Sequence, residues 1–462
     1  MIMEEAAFQS PFPKTSGSMS LASASDSANT VSGTRVAALA VIICISLMAM
    51  AGLVVALIIT TSDIPGGDVT VARTYADIDN DPLANSRPSA AKHSTPATPE
   101  RISSTSSVDK EIICTVSETA SSESMYPPDK YCDYLFYIEV YAREGRIASW
   151  TNTNGWNVFR RRARTYKIMK LGISFDFFIV KPEELDKAAG DLSALRREGI
   201  KHYGLLTALV SPSAYSELTS RAKPFLEKLK LLQGSDQTAK TVIAIGSDDY
   251  SGDFLSHFAD IFTEVANTYA VDIVIAISSV GSIGYETCNA LPPTALTSTS
   301  PCYEGLLHHW HVVSPTASYT RATIQTGLSF DLSTLVYELV ERTSSLNESL
   351  SRPCKTSRRT SRDVLCANGD FRSKANNYLG DQVSAYGVLS DASKVVLMSE
   401  YNDSVTFKFK AGVKDQGIRQ RTAWLFYNVH LQDFKKQCRE PPYTVLRLFC
   451  VALKGPSDER CE

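Results

Sequence analysis

Three histidines stand close together in Gly305-Leu-Leu-His308-His309-Trp310-His311, and imidazoles so placed are potential metal ligands. On a strand, His309 and His311 would face one way. Zinc spacings such as HExxH are absent and no nearby carboxylate is correctly spaced, so the expectation is a surface or loop cluster and no metal. Asp77-Ile-Asp79-Asn-Asp81 contains the DxD pattern with which many sugar transferases hold a metal and a nucleotide sugar. A metal site needs rigid support from packed neighbours, and this polar stretch supplies none, so a solvated acidic linker explains it better. Arg160, Arg161, Arg162 and Arg164 read as a solvated helix face. Arg352, Lys355, Arg358, Arg359 and Arg362 read as an exposed loop closed by Cys354 and Cys366, in which Arg359-x-x-Arg362 could be cut by a processing protease. No Gly-x-Ser-x-Gly elbow and no P-loop occur, so serine-hydrolase and NTPase readings have no direct support, and no cofactor is expected. A formal net charge of −3 over 462 residues gives no reason to expect a nucleic acid partner.

The chain that must position any reacting group is divided by one uncharged stretch, Val36 to Thr60, flanked by Arg35 and Asp63. A helix of that length rises to roughly 37 Å, enough to cross a hydrocarbon core of about 30 Å with some tilt. A cleavable signal peptide would be shorter and closer to the N-terminus, so a single transmembrane helix over residues 36–60 is expected. Of ten cysteines, only Cys44 lies in it and none precedes it. Cys114, Cys132, Cys288, Cys302, Cys354, Cys366, Cys438, Cys450 and Cys461 all follow, as do the sequons at Asn347 and Asn402. That asymmetry favours an oxidising, glycosylating compartment for the distal part, hence a type II membrane glycoprotein of the plasma membrane or Golgi with a cytoplasmic N-terminus. Proximity suggests the pairs Cys114–Cys132, Cys288–Cys302, Cys354–Cys366 and Cys438–Cys450, with Cys461 left over, although spacing does not determine connectivity. Residues 1–35 are rich in Ser, Ala and Thr and read as a disordered tail. Residues 61–110, rich in Ser, Thr, Pro and Asp, read as an extended stem.

From residue 111 to residue 462 short apolar runs alternate with amphipathic stretches. The runs at 132–140, 171–180, 202–210, 241–247, 271–280, 322–330, 395–401 and 423–429 are mostly apolar throughout, as strands covered on both faces are. Between them, Pro182 opens a helix carrying Leu185, Ala189, Leu192 and Leu195. A second helix carries Leu218, Ala222, Phe225 and Leu229, and a third carries Phe254, Phe258, Ile261, Phe262 and Val265. Such alternation predicts an α/β barrel or a doubly wound sheet, and pattern alone does not choose between them.

The C-terminal residues choose. Met398-Ser-Glu-Tyr-Asn-Asp-Ser, Lys408, Lys410, Gly417 and then Ala423-Trp-Leu-Phe-Tyr-Asn-Val-His-Leu-Gln-Asp-Phe-Lys-Lys-Gln-Cys438 resemble the end of a chitinase-like glycoside hydrolase family 18 barrel. Leu431, Asp433, Phe434 and Cys438 match that family's closing Leu-x-Asp-Phe segment and Cys. Cys114 and Cys132 resemble its early cysteine pair, residues 132–140 its second strand and residues 326–330 its Gly-x-Pro-x-Tyr-Gly strand. The likeness spans about residues 111 to 450 and implies a TIM-type (β/α)8 barrel.

The resemblance also implies what is missing. Active members carry Asp-x-x-Asp-x-Asp-x-Glu at the tip of the fourth strand, and its Glu protonates the leaving oxygen. The best match here, around Asp248-Asp249-Tyr250, puts Asp249 in the acid position with Ser247 and Ile245 in place of supporting carboxylates. Asp176 and Glu183 have the right end-to-end spacing, but Ile179 and Lys181 stand where carboxylates should be. The sixth-strand Met-x-Tyr-Asp element is best matched by Ile277-Ser-Ser-Val280. The expectation is a barrel that keeps its scaffold without its chemistry and binds a chitin-like oligosaccharide or a protein. Active hydrolase or Golgi-type transferase, and structural or adhesive surface protein, are the alternatives. The candidate ligand-binding residues are Tyr427, where the family has the Trp that floors its sugar pocket, Asn428 beside it, and Asp248, Asp249 and Tyr250; Tyr427 can equally be read as core.

Overall fold

The computed structural model describes residues 111–149, 153–179, 181–210, 215–247, 254–279, 288–294, 306–319, 323–341, 352–367, 377–378, 384–388, 394–399, 422–438, 441–455 and 457–461. All lie in one compact unit, Pro99–Glu462. Residues 36–60, the sequons at Asn347 and Asn402, and Cys302 lie outside the described residues. No helix among the described residues is long and apolar enough to cross a membrane.

Eight parallel strands close into a barrel. In chain order they are β1 (Ile112–Val116), β2 (Tyr134–Arg143), β4 (Lys170–Phe175), β5 (Ile200–Leu209), β6 (Thr241–Gly246), β7 (Ile273–Ala276), β8 (Gln325–Asp331) and β14 (Thr422–Tyr427). The ring closes because β1 pairs with both β2 and β14. The short β3 (Arg146–Ser149) turns back antiparallel on β2. The apolar runs read in the sequence fall on these strands because an interior and a helical coat bury both faces. Two readings need correction. Residues 112–116 supply the first strand, and the run at 395–401 does not belong to the barrel.

That run forms β13 (Lys394–Ser399) of a second sheet inserted between the seventh and eighth barrel strands. Its antiparallel order is β10 (Cys354–Thr360), β9 (Thr334–Leu339), β13, β12 (Ser384–Val388) and β11 (Asn377–Tyr378). The basic run read as a loop is therefore the strand β10 and the helix Arg362–Ala367.

Helices Thr153–Ala163, Pro182–Lys187, Ala189–Arg197, Lys223–Gln233, Phe254–Thr268, Leu306–Tyr319 and Thr444–Lys454 coat the barrel. Their apolar stripes are buried as the sequence predicts, including Leu185, Leu192, Leu195, Leu218, Ala222, Phe225, Leu229, Phe258, Phe262 and Val265. The barrel interior is packed, with Ile113, Phe136, Val242, Ile275 and Leu425 meeting at its axis. Gly172 on β4 leaves room for the Phe136 ring, which a Cβ at that position would meet at 2.5 Å.

Among the described residues, four disulfides fasten the unit. Cys114–Cys132 ties the first strand to the start of the second. The other proximity pairs are corrected, because Cys288 is joined to Cys354, Cys366 to Cys438, and Cys450 to Cys461. Cys461 is thus not left over. Cys354 and Cys366 belong to the second sheet and its helix, so two of the bridges fix that insertion to the rest of the unit.

Candidate functional site

In a barrel of this kind the strand C-termini make the mouth where ligands bind. Tyr427 ends β14 but is only 7% exposed, packs with the interior cluster, and donates its hydroxyl hydrogen bond to the carbonyl of Leu206. It fills the top of the barrel core. Asn428 follows in a left-handed conformation, φ 59°, and is 8% exposed. Its Nδ2 donates to Asp331 Oδ1 at 3.0 Å, and its backbone N–H donates to Thr115 Oγ1 at 3.2 Å. Asp331, buried at the end of β8, also accepts from Ser333 N at 2.8 Å and from Arg359 Nη2 at 3.1 Å. Arg359 comes from β10, so the inserted sheet is fastened to the mouth by an ion pair whose carboxylate is almost wholly buried. Asn428 is thereby engaged within the fold.

The fourth barrel strand is β5, which corrects the alignment that put Asp249 at the fourth-strand tip. Asp248, Asp249 and Tyr250 follow the fifth strand, β6, and lie outside the described residues. A register shift between Leu205 and Ala208 breaks the alternation of β5, leaving Leu206 and Leu209 packed with the interior cluster and Leu205 and Ala208 with the helical coat. Its C-terminal end, Leu206-Thr207-Ala208-Leu209-Val210, contains no carboxylate. After the sixth strand, β7, the serines are tied to the seventh. Ser278 Oγ donates to the Ser329 carbonyl at 2.8 Å, and Ser279 Oγ lies 3.1 Å from Ser329 Oγ.

The histidines read as a surface or loop cluster lie on a helix, with one of the three rings buried. His308, His309 and His311 lie on the helix Leu306–Tyr319, where positions two apart diverge, so His309 and His311 do not share a face. His309 is buried with its ring edge-on to Phe258, while His308 and His311 are exposed, and no group of potential metal ligands occurs among the described residues.

Sequence reasoning missed Glu139. The β2 to β4 register shifts between Tyr137 and Val140, and the extra residue is Glu139 with φ 62°. Ile138 packs inside the barrel and Val140 with the helical coat, so the bulge breaks the alternation that would send position 139 outward. Glu139 is exposed by surface area, while the protein around it desolvates its carboxyl. That desolvation, with Asp176 and Glu118 nearby, pushes its carboxyl up to about 7 against the pull of Arg359. Asp176 is held beside the bulge by its backbone N–H donating to the Val140 carbonyl at 2.9 Å. Phe178, two residues on, exposes an aromatic ring at the same end. The signal in the sequence is slight: Glu139 is the charge in the otherwise uncharged stretch Tyr134–Val140.

No family model matches the chain, and none of the curated proteins does. Solved structures do. Human YKL-39, described as a pseudo-chitinase with retained chitooligosaccharide binding properties, superposes with a TM-score of 0.50 at 10% identity, covering 75% of this chain and 100% of that one. The Group IV chitinase of Ostrinia furnacalis, in complex with allosamidin, gives 0.53 at 11% identity over 75% and 100%. A Group II chitinase catalytic domain from the same insect, bound to an N-acetylchitooligosaccharide, gives 0.52 at 12% identity over 75% and 97%. The fold is that of the glycoside hydrolase family 18 chitinases and chitinase-like proteins.

Proposed function

We propose that this chain is a membrane-anchored chitinase-like protein that binds oligosaccharide through its barrel mouth without hydrolysing it. The observation that carries the reading is the fourth barrel strand, which ends without a carboxylate where the resembled family places its acid. Protonating the leaving oxygen needs an acid held at that point, and a misplacement of about 1 Å can cost roughly a hundredfold in rate. Binding needs only a shaped mouth with a few polar groups and an aromatic face, and Glu139, Asp176 and Phe178 supply these. Human YKL-39, which has the same fold, is a pseudo-chitinase that retains chitooligosaccharide binding. Residues 36–60 supply the anchor and residues 61–110 the stem, with the barrel extracellular or lumenal and Asn347 and Asn402 as glycan acceptors.

Capture of the full chain on chitin beads, with elution by N-acetylchitooligosaccharide, tests the binding. Retention that soluble oligosaccharide competes away is expected, and flow-through equal to that of an unrelated glycoprotein would defeat the reading. An antibody to an N-terminal tag should stain cells only after permeabilisation; staining of intact cells would overturn the topology.

A further inference from the structure

We infer that Glu139 is the ligand-anchoring carboxyl of the barrel mouth, its ionised oxygens accepting hydrogen bonds from sugar hydroxyls. The inference rests on the carbohydrate-binding reading above and names the residue that carries it. Its ground is geometric. The residues first matched to the sugar pocket are committed elsewhere, Tyr427 to the Leu206 carbonyl and Asn428 to Asp331. The fourth strand presents Leu206, Thr207 and Leu209 at its end. A bulge in the second strand instead places a glutamate at φ 62°, a conformation that L residues other than Asn and Asp seldom adopt, and leaves it exposed at the mouth. The charged groups around it come from each neighbouring element: Glu118 after β1, Asp176 after β4, and Arg359 on β10, whose guanidinium is shared with Asp331 at the end of β8. Desolvation with Asp176 and Glu118 outweighs Arg359, so this carboxyl changes charge near neutrality. Binding to its ionised form must therefore strengthen as the pH rises.

The test is the affinity of the full chain for N-acetylchitotetraose at pH 6 and pH 8. A group titrating near 7 goes from about one-tenth to about nine-tenths ionised over that range, so the wild type should bind up to about tenfold more tightly at pH 8. Glu139→Gln, which matches the side chain in size, should bind more weakly at pH 8 and show no such slope. Glu139→Gly, which suits the left-handed backbone and so guards against a folding defect, should also lose it. Equal wild-type affinity at the two pH values, or a slope retained in both variants, would overturn the assignment while leaving the carbohydrate reading intact. A wild type that binds at neither pH defeats the carbohydrate reading itself.

Discussion

Glu139 holds a backbone conformation that a glycine would adopt without strain, and strain of this kind costs on the order of 1 kcal/mol. Glu139→Gly is therefore expected to raise unfolding stability by about 1 kcal/mol while weakening ligand binding, measured as a shift in the chemical denaturation midpoint beside a binding isotherm. Tyr427 behaves in the opposite way. Its hydroxyl reaches a carbonyl on the strand across the barrel, so Tyr427→Phe leaves a buried acceptor unpaired and should cost about 1–3 kcal/mol. Tyr427→Ala also opens a cavity, at about 3–5 kcal/mol, a loss of folding before any loss of ligand. These two residues mark what could be read at this scale. Tyr427 stands out in the sequence because it falls where the resembled family has its pocket-floor Trp, but its burial depends on Leu206, more than two hundred positions away. Glu139 was missed because a bulge exists only relative to the partner strand, and β2 alone does not contain that register.

At the scale of elements, the parallel strands were legible because burial on both faces leaves runs apolar throughout, as in β6 and β7. The inserted sheet was not. Its strand β10 is CKTSRRT, polar and largely exposed, with nothing in its composition to separate it from a loop. Proximity in sequence gives Cys114–Cys132 but not Cys450–Cys461, separated by only 11 residues, because Cys438 lies almost as near to Cys450. Cys288–Cys354 and Cys366–Cys438 close separations of 66 and 72 residues across the insertion, so proximity in sequence misleads. Loops of that size correspond to about 4 kcal/mol in the chain-entropy account, and Cys366→Ala with Cys438→Ala should lower stability by that order in calorimetry. Inside the barrel, Gly172→Ala would push its Cβ into the Phe136 ring and the His202 carbonyl, an overpacking expected to cost about 1–3 kcal/mol in denaturant titration.

For the whole molecule, the buried His202 and His430 weaken the fold in acid, against the opposite contribution of the raised Glu139 and Glu111 carboxyls. His202 accepts the Lys240 N–H at Nδ1, and His430 lies against Ser117 and Thr119, and burial lowers each to about 3. In the unfolded chain both titrate near 6.5. Between those values the unfolded state binds protons that the folded state does not, so stability is full above about pH 6.5 and falls as the pH drops toward 3. The slope is up to about 1.4 kcal/mol per pH unit for each histidine. The raised carboxyls of Glu139 and Glu111 act in the opposite direction over part of this range, so the histidines are isolated by urea unfolding of the wild type beside His202→Gln and His430→Gln at pH 7.5 and pH 5: the wild type should lose more between the two pH values than either variant, and equal losses would show that these histidines are not held neutral. The same scale carries the central claim, that a chitinase-type barrel has kept a mouth for sugar while its fourth strand lacks the acid. Incubation of the full chain with excess N-acetylchitotetraose, with bound ligand and released products quantified in one reaction by mass spectrometry, tests this most directly. The account predicts saturable binding with the tetrasaccharide recovered intact, and steady release of shorter oligosaccharides would contradict it.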